Sequence, residues 1–477
     1  MPLFTTDELL TVTGGVLWSD FSKRQVRRLS TDSRILKPGD LFIALMGDSF
    51  DGHQFVTHAI GQGARGAIVQ RSVCKNPRSI LRATRKRHKD FLLIGVDDTL
   101  RAYQDLAGHH RRKFALPVVA VTGSNGKTTT KDMIANVLRQ HGYVLKTQGN
   151  LNNSIGLPHT LLRLTARHDM AVIELGVDQE GQTTRLCEIA RPTHGVITNI
   201  GPDHLEGFGS LDGSARAKAE LLSCLPNDGV IVLNGDDQYF NAFQQQTRCP
   251  LVSFGFSSQA AVWADRMISE RMRTTFRVHL PQRVRSSPMS VEAQGVHNVA
   301  NALAAIAMGY SFGMSPAKIA TGLGKFRPAA MRSHILRVQG MTVIQDCYNA
   351  NPASMKAAID LLMERAGHKR AIAVLGDMLE LGKSARRFHV EIGKYLAQHG
   401  VAHLIACGDW GKDLAAGART AGLPASSIHV VNTAMMASPI LRGLAQCGDV
   451  ILVKASRGMQ LERVVSGISE WGTVTTY

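Results

Sequence analysis

Short apolar strands alternating with helical stretches along the whole chain predict an α/β protein of three domains built on parallel sheets. Three observations carry that expectation. The 477 residues exceed a single hydrophobic core, and a norm of about 150 residues per domain gives about three domains. The strands are runs of branched residues rather than apolar–polar alternations, the pattern of sheets covered on both faces. Finally, the run Val118 to Val121 breaks into a glycine turn, Gly123-Ser124-Asn125-Gly126, and enters a helix through Lys127, Thr128 and Thr129. That is the order of a phosphate cradle. Small residues let backbone N–H groups approach phosphate oxygens, and the helix N-terminus adds partial positive charge.

In chain order, residues 1–113 read as a small N-terminal α/β domain. Strands at Asp40–Leu45, Gly66–Val69 and Phe91–Val96 accompany a helical stretch near Phe55 to Gly61, and a helix from Thr99 to about Arg112 leads to Pro117. Residues 114–327 form the central domain, a P-loop parallel sheet with flanking helices, continued by strands at Asp169–Glu174, Gly195–Ile200 and Gly229–Leu233. The loop departs from the full Walker pattern, which wants glycine where Val121 stands, and reads the shorter G-x-x-G-K-T. Lys127 would reach the β/γ-phosphates and the Thr128 hydroxyl would ligate Mg²⁺. Phe326-Arg327-Pro328 reads as a hinge. Residues 328–477 repeat the pattern as a Rossmann-like α/β domain, with strands at Arg370–Leu375, His403–Ala406, Ile428–Val431 and Asp449–Val453. Polar loops at Gly376-Asp377 and Lys454 to Arg457 follow strand ends, where open α/β sheets bind ligands.

Composition narrows the function. A hydrophobic share of 44% and a charged share of 19% are those of a well-packed soluble chain. The N-terminus carries Asp7 and Glu8 with no basic-then-apolar segment, so no signal peptide is expected. No run approaches the ~20 apolar residues of a membrane span. Seven dispersed cysteines without a C-x-x-C read as reduced thiols of a cytoplasmic protein. The net charge of +17 and the basic run Arg82 to Lys89 suggest nucleic acid, yet no aromatic residue interleaves that run to stack bases. A solvated basic surface in a protein handling anionic substrates is expected there and at Arg111 to Lys113, with no nucleic-acid partner.

The remaining candidates each admit a structural role too. Glu174 ends the strand after the P-loop helix, where a carboxylate suits Mg²⁺, or it caps a loop. The segment Asn199 to Phe208 packs Asp203, His204 and Glu206 into a glycine-bounded loop; His204 could ligate a cation or be structural. Ser214 reads as the start of an amphipathic helix in which Lys218 is a surface lysine. The amides of Asn150, Asn152 and Asn153 could bind a polar ligand or satisfy their own turns. Asn298 and Asn301 share a face of an alanine-rich helix and could meet adenine, unless Asn298 is an N-cap. Arg332 and Asp346 could reach a nucleotide when domains close, or pair on the surface.

These pieces, in this order, resemble the Mur ligases of peptidoglycan synthesis. The likeness runs through Asp32-Ser-Arg34, Asp51-Gly-His-Gln-Phe55, Thr122 to Thr129, Gly149 to Pro158, Asn199 to Phe208, His297 to Asn301, Asp346-Cys-Tyr-Asn-Ala-Asn-Pro352 and Leu375-Gly-Asp-Met-Leu-Glu-Leu-Gly382. The short loop is that family's usual form. The resemblance implies that ATP phosphorylates the terminal carboxylate of UDP-N-acetylmuramoyl-tripeptide, and that the amine of D-alanyl-D-alanine attacks the acyl phosphate. It implies two Mg²⁺ ions, one on Thr128 and Glu174, the other served by His204 and a carbamylated Lys218. Lys127, Glu174, His204 and Lys218 are then the catalytic set. Gly123, Ser124, Asn125, Gly126, Thr129, Asn298, Asn301, Arg332 and Asp346 would hold the nucleotide with Lys127 and Thr128. Ser33, Arg34, Asp51 and His53 would bind the UDP moiety, and Asn150, Asn152 and Asn153 the sugar-peptide. Tyr348, Asn349, Asn351, Ser456 and Arg457 would place the dipeptide. The expected enzyme is a cytoplasmic monomer. Competing readings are a sister ligase for diaminopimelate or folylpolyglutamate, a nucleic-acid-stimulated ATPase, and a GTPase; the last lacks an N-K-x-D.

Overall fold

A computed structural model describes every residue except 1–2, 20–24, 48–49, 86–89, 271, 330, 470, 472–473 and 477. The last four residues of the basic run, Lys86 to Lys89, therefore lie outside the described residues. The chain forms two compact units: Met1–Leu116 with Thr147–His168 and Arg185–Arg191, and Pro117–Lys146 with Asp169–Thr184 and Pro192–Tyr477.

The first unit is built on a five-stranded sheet, ordered Val16–Leu17, Leu92–Val96, Gly66–Gln70, Leu41–Ile43, Leu29–Ser30, with only the Val16–Leu17 pairing antiparallel. Both faces are covered. Leu92 and Ile94 pack with Phe4, Leu9, Tyr103 and Leu106, whereas Leu93 packs with Phe42, Ala59 and Val69 on the other side. The helix Thr99–Arg112 forms at its expected place because Asp98 caps it, its carboxylate accepting from the N–H groups of Leu100 and Arg101.

The second unit holds two larger sheets. In the nine-stranded sheet the P-loop strand Val118–Thr122 lies between Met170–Glu174 and His194–Ile197, parallel to both. The chain leaves that strand to one side through Val144–Lys146 and later to the other through Val230–Asn234 and Leu251–Gly255. The strand therefore sits at a topological switch point, where a crevice opens beyond the carboxyl ends. Helices Lys127–Leu138 and Val296–Ser311 cover one face, with Met133, Ile134, Val137, Leu303 and Met308 packed on Val119 and Val121. The seven-stranded sheet has a parallel centre, Ile428–Val431, His403–Cys407, Ala371–Gly376, Val450–Lys454 and Met341–Gln345, with antiparallel His334–Val338 and Val474–Thr476 at one edge.

Several expectations change. The central sheet is not wholly parallel: Val262–Glu270, Arg273–His279 and Ser287–Val291 add an antiparallel ribbon. The helix expected to start at Ser214 runs Leu211–Cys224, because Ser210 is its cap, accepting from Gly213 N. Asn298 is no cap either; Gly295 holds that position of Val296–Ser311. Arg111 is not a solvated base. It is buried, with its guanidinium donating to the carbonyls of Ala190, Phe114, Leu116 and Arg191, while Lys113 pairs with Glu8.

His110 is buried beside it. Its Nε2–H donates to Leu164 O (3.0 Å), and its Nδ1 is buried without a partner. Burial, then the cations Lys113 and His109, hold its pKa below the ordinary 6.5. Protonation would put an unpartnered N–H⁺ in the core, so the unfolded chain takes the proton first. The stability this histidine contributes is present above 6.5 and is lost as the pH falls below it. Urea unfolding across that range should show His110→Phe losing less stability on acidification than the parent chain.

Candidate active site

The site begins with the loop Gly123 to Gly126. Gly123 has φ +137°, and a Cβ there would lie 2.0 Å from Thr198 Oγ1. Gly126, φ +79°, caps Lys127–Leu138, and its Cβ would meet Asn301 Oδ1 at 2.2 Å. Side chains are excluded on both sides, and the loop's backbone is held flat against the next strand's end. Asn125 N donates to Asn199 Oδ1 (3.0 Å), Asn125 O accepts from Thr198 Oγ1 (2.6 Å), and Ser124 N donates to Asn199 O (2.8 Å). Lys127 lies across the loop, its Nζ donating to Gly123 O (2.6 Å) and Ser124 O (3.2 Å). A phosphate competing for that ammonium would find it already over the cradle. Thr129 occupies the first turn of the helix, with Thr130 N closing the turn on Gly126 O.

Thr128 Oγ1 donates to Glu174 Oε1 (3.1 Å), and Glu174 is 1% exposed at the end of its strand. The buried Lys131 ammonium lies 3.9 Å from Glu174 Oε2 and 3.3 Å from Asp132. A hydroxyl beside a carboxylate is the donor set a hard cation takes. Sequence reading passed over Lys131, although it stands one helical turn from Lys127.

Lys218 is 1% exposed, which corrects the surface position expected for it. Ser214, Lys218, Leu221 and Leu222 share the inner face of Leu211–Cys224, a spacing the sequence already contained. Its Nζ donates to Ser214 Oγ (2.6 Å) and Asp203 Oδ1 (3.1 Å) and sits 4.5 Å from the Phe208 ring centroid. Burial pushes this amine down to about 8, against the opposing pull of Asp203. Asp203 Oδ1 also accepts from Ser124 Oγ (2.7 Å) and Ser214 Oγ (2.9 Å), whereas its Oδ2 is buried with no hydrogen-bond partner. Burial raises the Asp203 carboxyl, but Lys218, Lys127, Ser124 and His204 outweigh it and hold the group below its usual range. His204 follows in the left-handed region, φ 46°, and its Nδ1 meets Glu380 Oε2 from the seven-stranded sheet's loop. Glu380 is likewise left-handed, φ 63°, and its carbonyl accepts from Glu206 N (3.1 Å). The signal for Glu380 was its place in the Leu375 to Gly382 stretch. Among the described residues no three His, Cys, Asp or Glu side chains gather as a metal site on their own.

Asn301 joins the cradle directly: its Oδ1 accepts from Thr130 (3.1 Å) and its Nδ2 donates to Asn298 Oδ1 (3.3 Å), while Asn298 Nδ2 donates to Gln294 O (2.7 Å). Arg332 and Asp346 do not pair with each other. Arg332 stacks on the Tyr348 ring at 4.0 Å, and Asp346 accepts from Ser333 N (3.0 Å) and from the buried Lys454 Nζ (2.7 Å). Lys454 also holds Asn349 O (2.9 Å), and Asn349 itself is exposed. Ser456 is buried, accepting from Leu379 N (2.9 Å), whereas Arg457 is exposed and pairs with Glu462. Asn351 caps the helix Pro352–Ala366.

The other candidates lie in the first unit. Ser33 is buried, and Arg34 is 84% exposed with its guanidinium forked on Asp32. His53 Nε2 accepts from Gln70 N (2.8 Å), so Nδ1 carries the proton it gives to Asp51 (2.6 Å). Asn153 Oδ1 accepts from Ile155 N (3.2 Å) and Gly156 N (2.9 Å), so one amide of that loop does satisfy its own turn. Asn150 is exposed and Asn152 half-buried.

Comparison with known proteins finds relatives along nearly the whole chain. The Mur ligase family catalytic domain matches residues 25–109, the Mur ligase middle domain residues 121–309, and the Mur ligase glutamate ligase domain residues 331–457. A UDP-N-acetylmuramoyl-tripeptide–D-alanyl-D-alanine ligase of Bacillus subtilis (strain 168) is 36% identical over 96% of this chain and 96% of its own. The ligase of that name from Escherichia coli (strain K12) is 36% identical over 93% of this chain and 94% of its own. A crystal structure of MurF from Acinetobacter baumannii superposes with a TM-score of 0.88 at 31% identity, covering 98% of this chain and 100% of that one.

Gly126→Ala should test the cradle. The methyl would enter the space of Asn301 Oδ1 on a left-handed backbone, so ADP affinity measured by titration calorimetry should fall by about tenfold or more, at ~1.4 kcal/mol per decade.

Proposed function

Because the chain belongs to the Mur ligase family, we propose that it joins D-alanyl-D-alanine to UDP-N-acetylmuramoyl-tripeptide, forming UDP-N-acetylmuramoyl-pentapeptide, ADP and phosphate. It is an ATP-dependent ligase of peptidoglycan synthesis. The observation that carries the reading is the cradle at Gly123 to Gly126, with Lys127 over it and Thr128 and Glu174 beneath.

The chemistry begins as two anions meet. A carboxylate and one phosphate charge 4 Å apart repel by ~4 kcal/mol at an effective dielectric near 20. Lys127 and the loop's N–H groups offset that repulsion, and phosphoryl transfer asks for little beyond such positioning and charge neutralisation. The tripeptide carboxylate oxygen attacks the γ-phosphorus and ADP departs. The dipeptide amine then attacks the acyl carbon, loses a proton, and phosphate leaves with the C–O bond pair. Closure of the dipeptide loops over the site excludes the water that would otherwise hydrolyse the acyl phosphate.

The finer assignments are part of the same proposal. Thr128 and Glu174 would hold one Mg²⁺, completed by waters and phosphate oxygens, which supplies charge neutralisation at the phosphates. The unpartnered Asp203 Oδ2 beside Lys218 and His204 supports a second cation there. Lys218 supports a carbamate: a buried amine whose pKa is about 8 has more of the neutral form that attacks CO₂ than an ordinary lysine. Asn298, Asn301, Arg332 and Asp346 would hold ATP, Tyr348, Asn349, Ser456 and Arg457 the dipeptide. Ser33, Arg34, Asp51 and His53 would take UDP, and Asn150, Asn152 and Asn153 the sugar-peptide. Domains at 1–113, 114–327 and 328–477 would divide these tasks, in a cytoplasmic monomer; no helix among the described residues is long and apolar enough to cross a membrane.

Phosphate release should require ATP, UDP-N-acetylmuramoyl-tripeptide and D-alanyl-D-alanine together, and a single amino acid should not replace the dipeptide. Lys127→Ala should lower kcat by ~10²-fold or more. Lys218→Ala should be nearly inactive and regain activity with added acetate or bicarbonate; normal activity without either would remove the carbamate.

A further inference from the structure

Asn351 is 5% exposed and spends its carboxamide on two partners. Its Oδ1 accepts from Ser354 N (2.9 Å), and Ser354 Oγ accepts in return from Asn351 N (3.0 Å), a reciprocal cap at the start of Pro352–Ala366. Its Nδ2 donates to Asn125 Oδ1 (2.8 Å), a residue of the phosphate loop 226 positions away in sequence. The cap holds the carboxamide's oxygen, and Pro352 at the first helical position fixes the chain behind it, so the nitrogen points one way only.

Asn125 is gripped from the other side. Its N–H and C=O are taken by Asn199 and Thr198 at the end of the neighbouring strand. Its side chain is the part of the loop that extends to the seven-stranded sheet's first helix. The turn between Ser124 and Gly126 is thus clamped from two directions, by the central sheet through backbone bonds and by the C-terminal sheet through one amide.

We infer that Asn351 is a positioning residue of the phosphate loop, acting through Asn125 to hold the cradle in its nucleotide-binding shape, rather than a contact of the dipeptide. This rests on the nucleotide reading of the loop.

The test uses the full chain. Asn351→Ser keeps a capping oxygen of equal rank but is too short to reach Asn125, whereas Asn351→Ala loses cap and bridge together. Asn351→Ser should leave the thermal midpoint unchanged, weaken ADP binding about 3- to 10-fold by calorimetry, raise KM for ATP alike and leave KM for D-alanyl-D-alanine alone. In an Asn125→Ala background the same substitution should have no further effect on ADP affinity. Unaltered ADP affinity, an equal loss in the Asn125→Ala background, a KM change confined to the dipeptide, or a lowered midpoint with equal loss for both substrates would each overturn it. Failure of the parent chain to bind ADP would instead sink the nucleotide reading itself.

Discussion

Close backbone approach at the Gly123–Gly126 turn is the constraint around which the second unit is arranged. With no Cβ at either glycine, Thr198 and Asn199 hydrogen-bond the turn and Asn301 lies close against Gly126, so two separate segments of chain become its walls. Each wall then carries chemistry of its own. The Thr198–Asn199 wall continues into Asp203 and His204, the Asn301 wall into the buried helix Val296–Ser311, and the helix that follows the turn brings Thr128 and Lys131 to Glu174. Methyl groups at these two positions would push Thr198 and Asn199 on one side and Asn301 on the other away from the turn.

Charge is managed by burial rather than by the bulk excess of +17. Lys131, Lys218 and Lys454 are each almost wholly buried, and each lies within 4 Å of a carboxylate, respectively Glu174, Asp203 and Asp346. Removing one member of such a pair leaves an uncompensated charge in a low-dielectric place, which is far more damaging than losing a surface pair. The basic surface that dominates the composition contributes none of these contacts. The net charge is that of a solvated basic surface; the placement of the few buried cations points to phosphate and carboxylate chemistry.

Much of this was legible in the residues. Parallel strands made of branched runs announced themselves; the helix at Thr99–Arg112 was legible from its start, with its end near Arg112, and Ile428–Val431 to the residue. The antiparallel ribbon was missed although Arg273–His279 buries Thr274, Phe276 and Val278 in strict alternation. Its partner Val262–Glu270 hides the signal, since its register shifts between Asp265 and Ile268 and its second half is exposed. At the site, the loop, Glu174 and the asparagines of Val296–Ser311 could be picked out by spacing. Glu380 and Lys454 could not be assigned by spacing alone, and spacing gives the buried face of Lys218 but not its partner, because Asp203, His204 and Asp346 come from other segments brought in by tertiary packing.

The ribbon that sequence reading overlooked also decides how the nine-stranded sheet ends. Its last strand, Ser287–Val291, carries the exposed Pro288, which has no N–H to offer a further strand, directly across from Arg277. A proline at an open margin discourages a second molecule from extending the sheet. A protein with a long, largely apolar sheet is thereby protected from fibrous self-association at that edge.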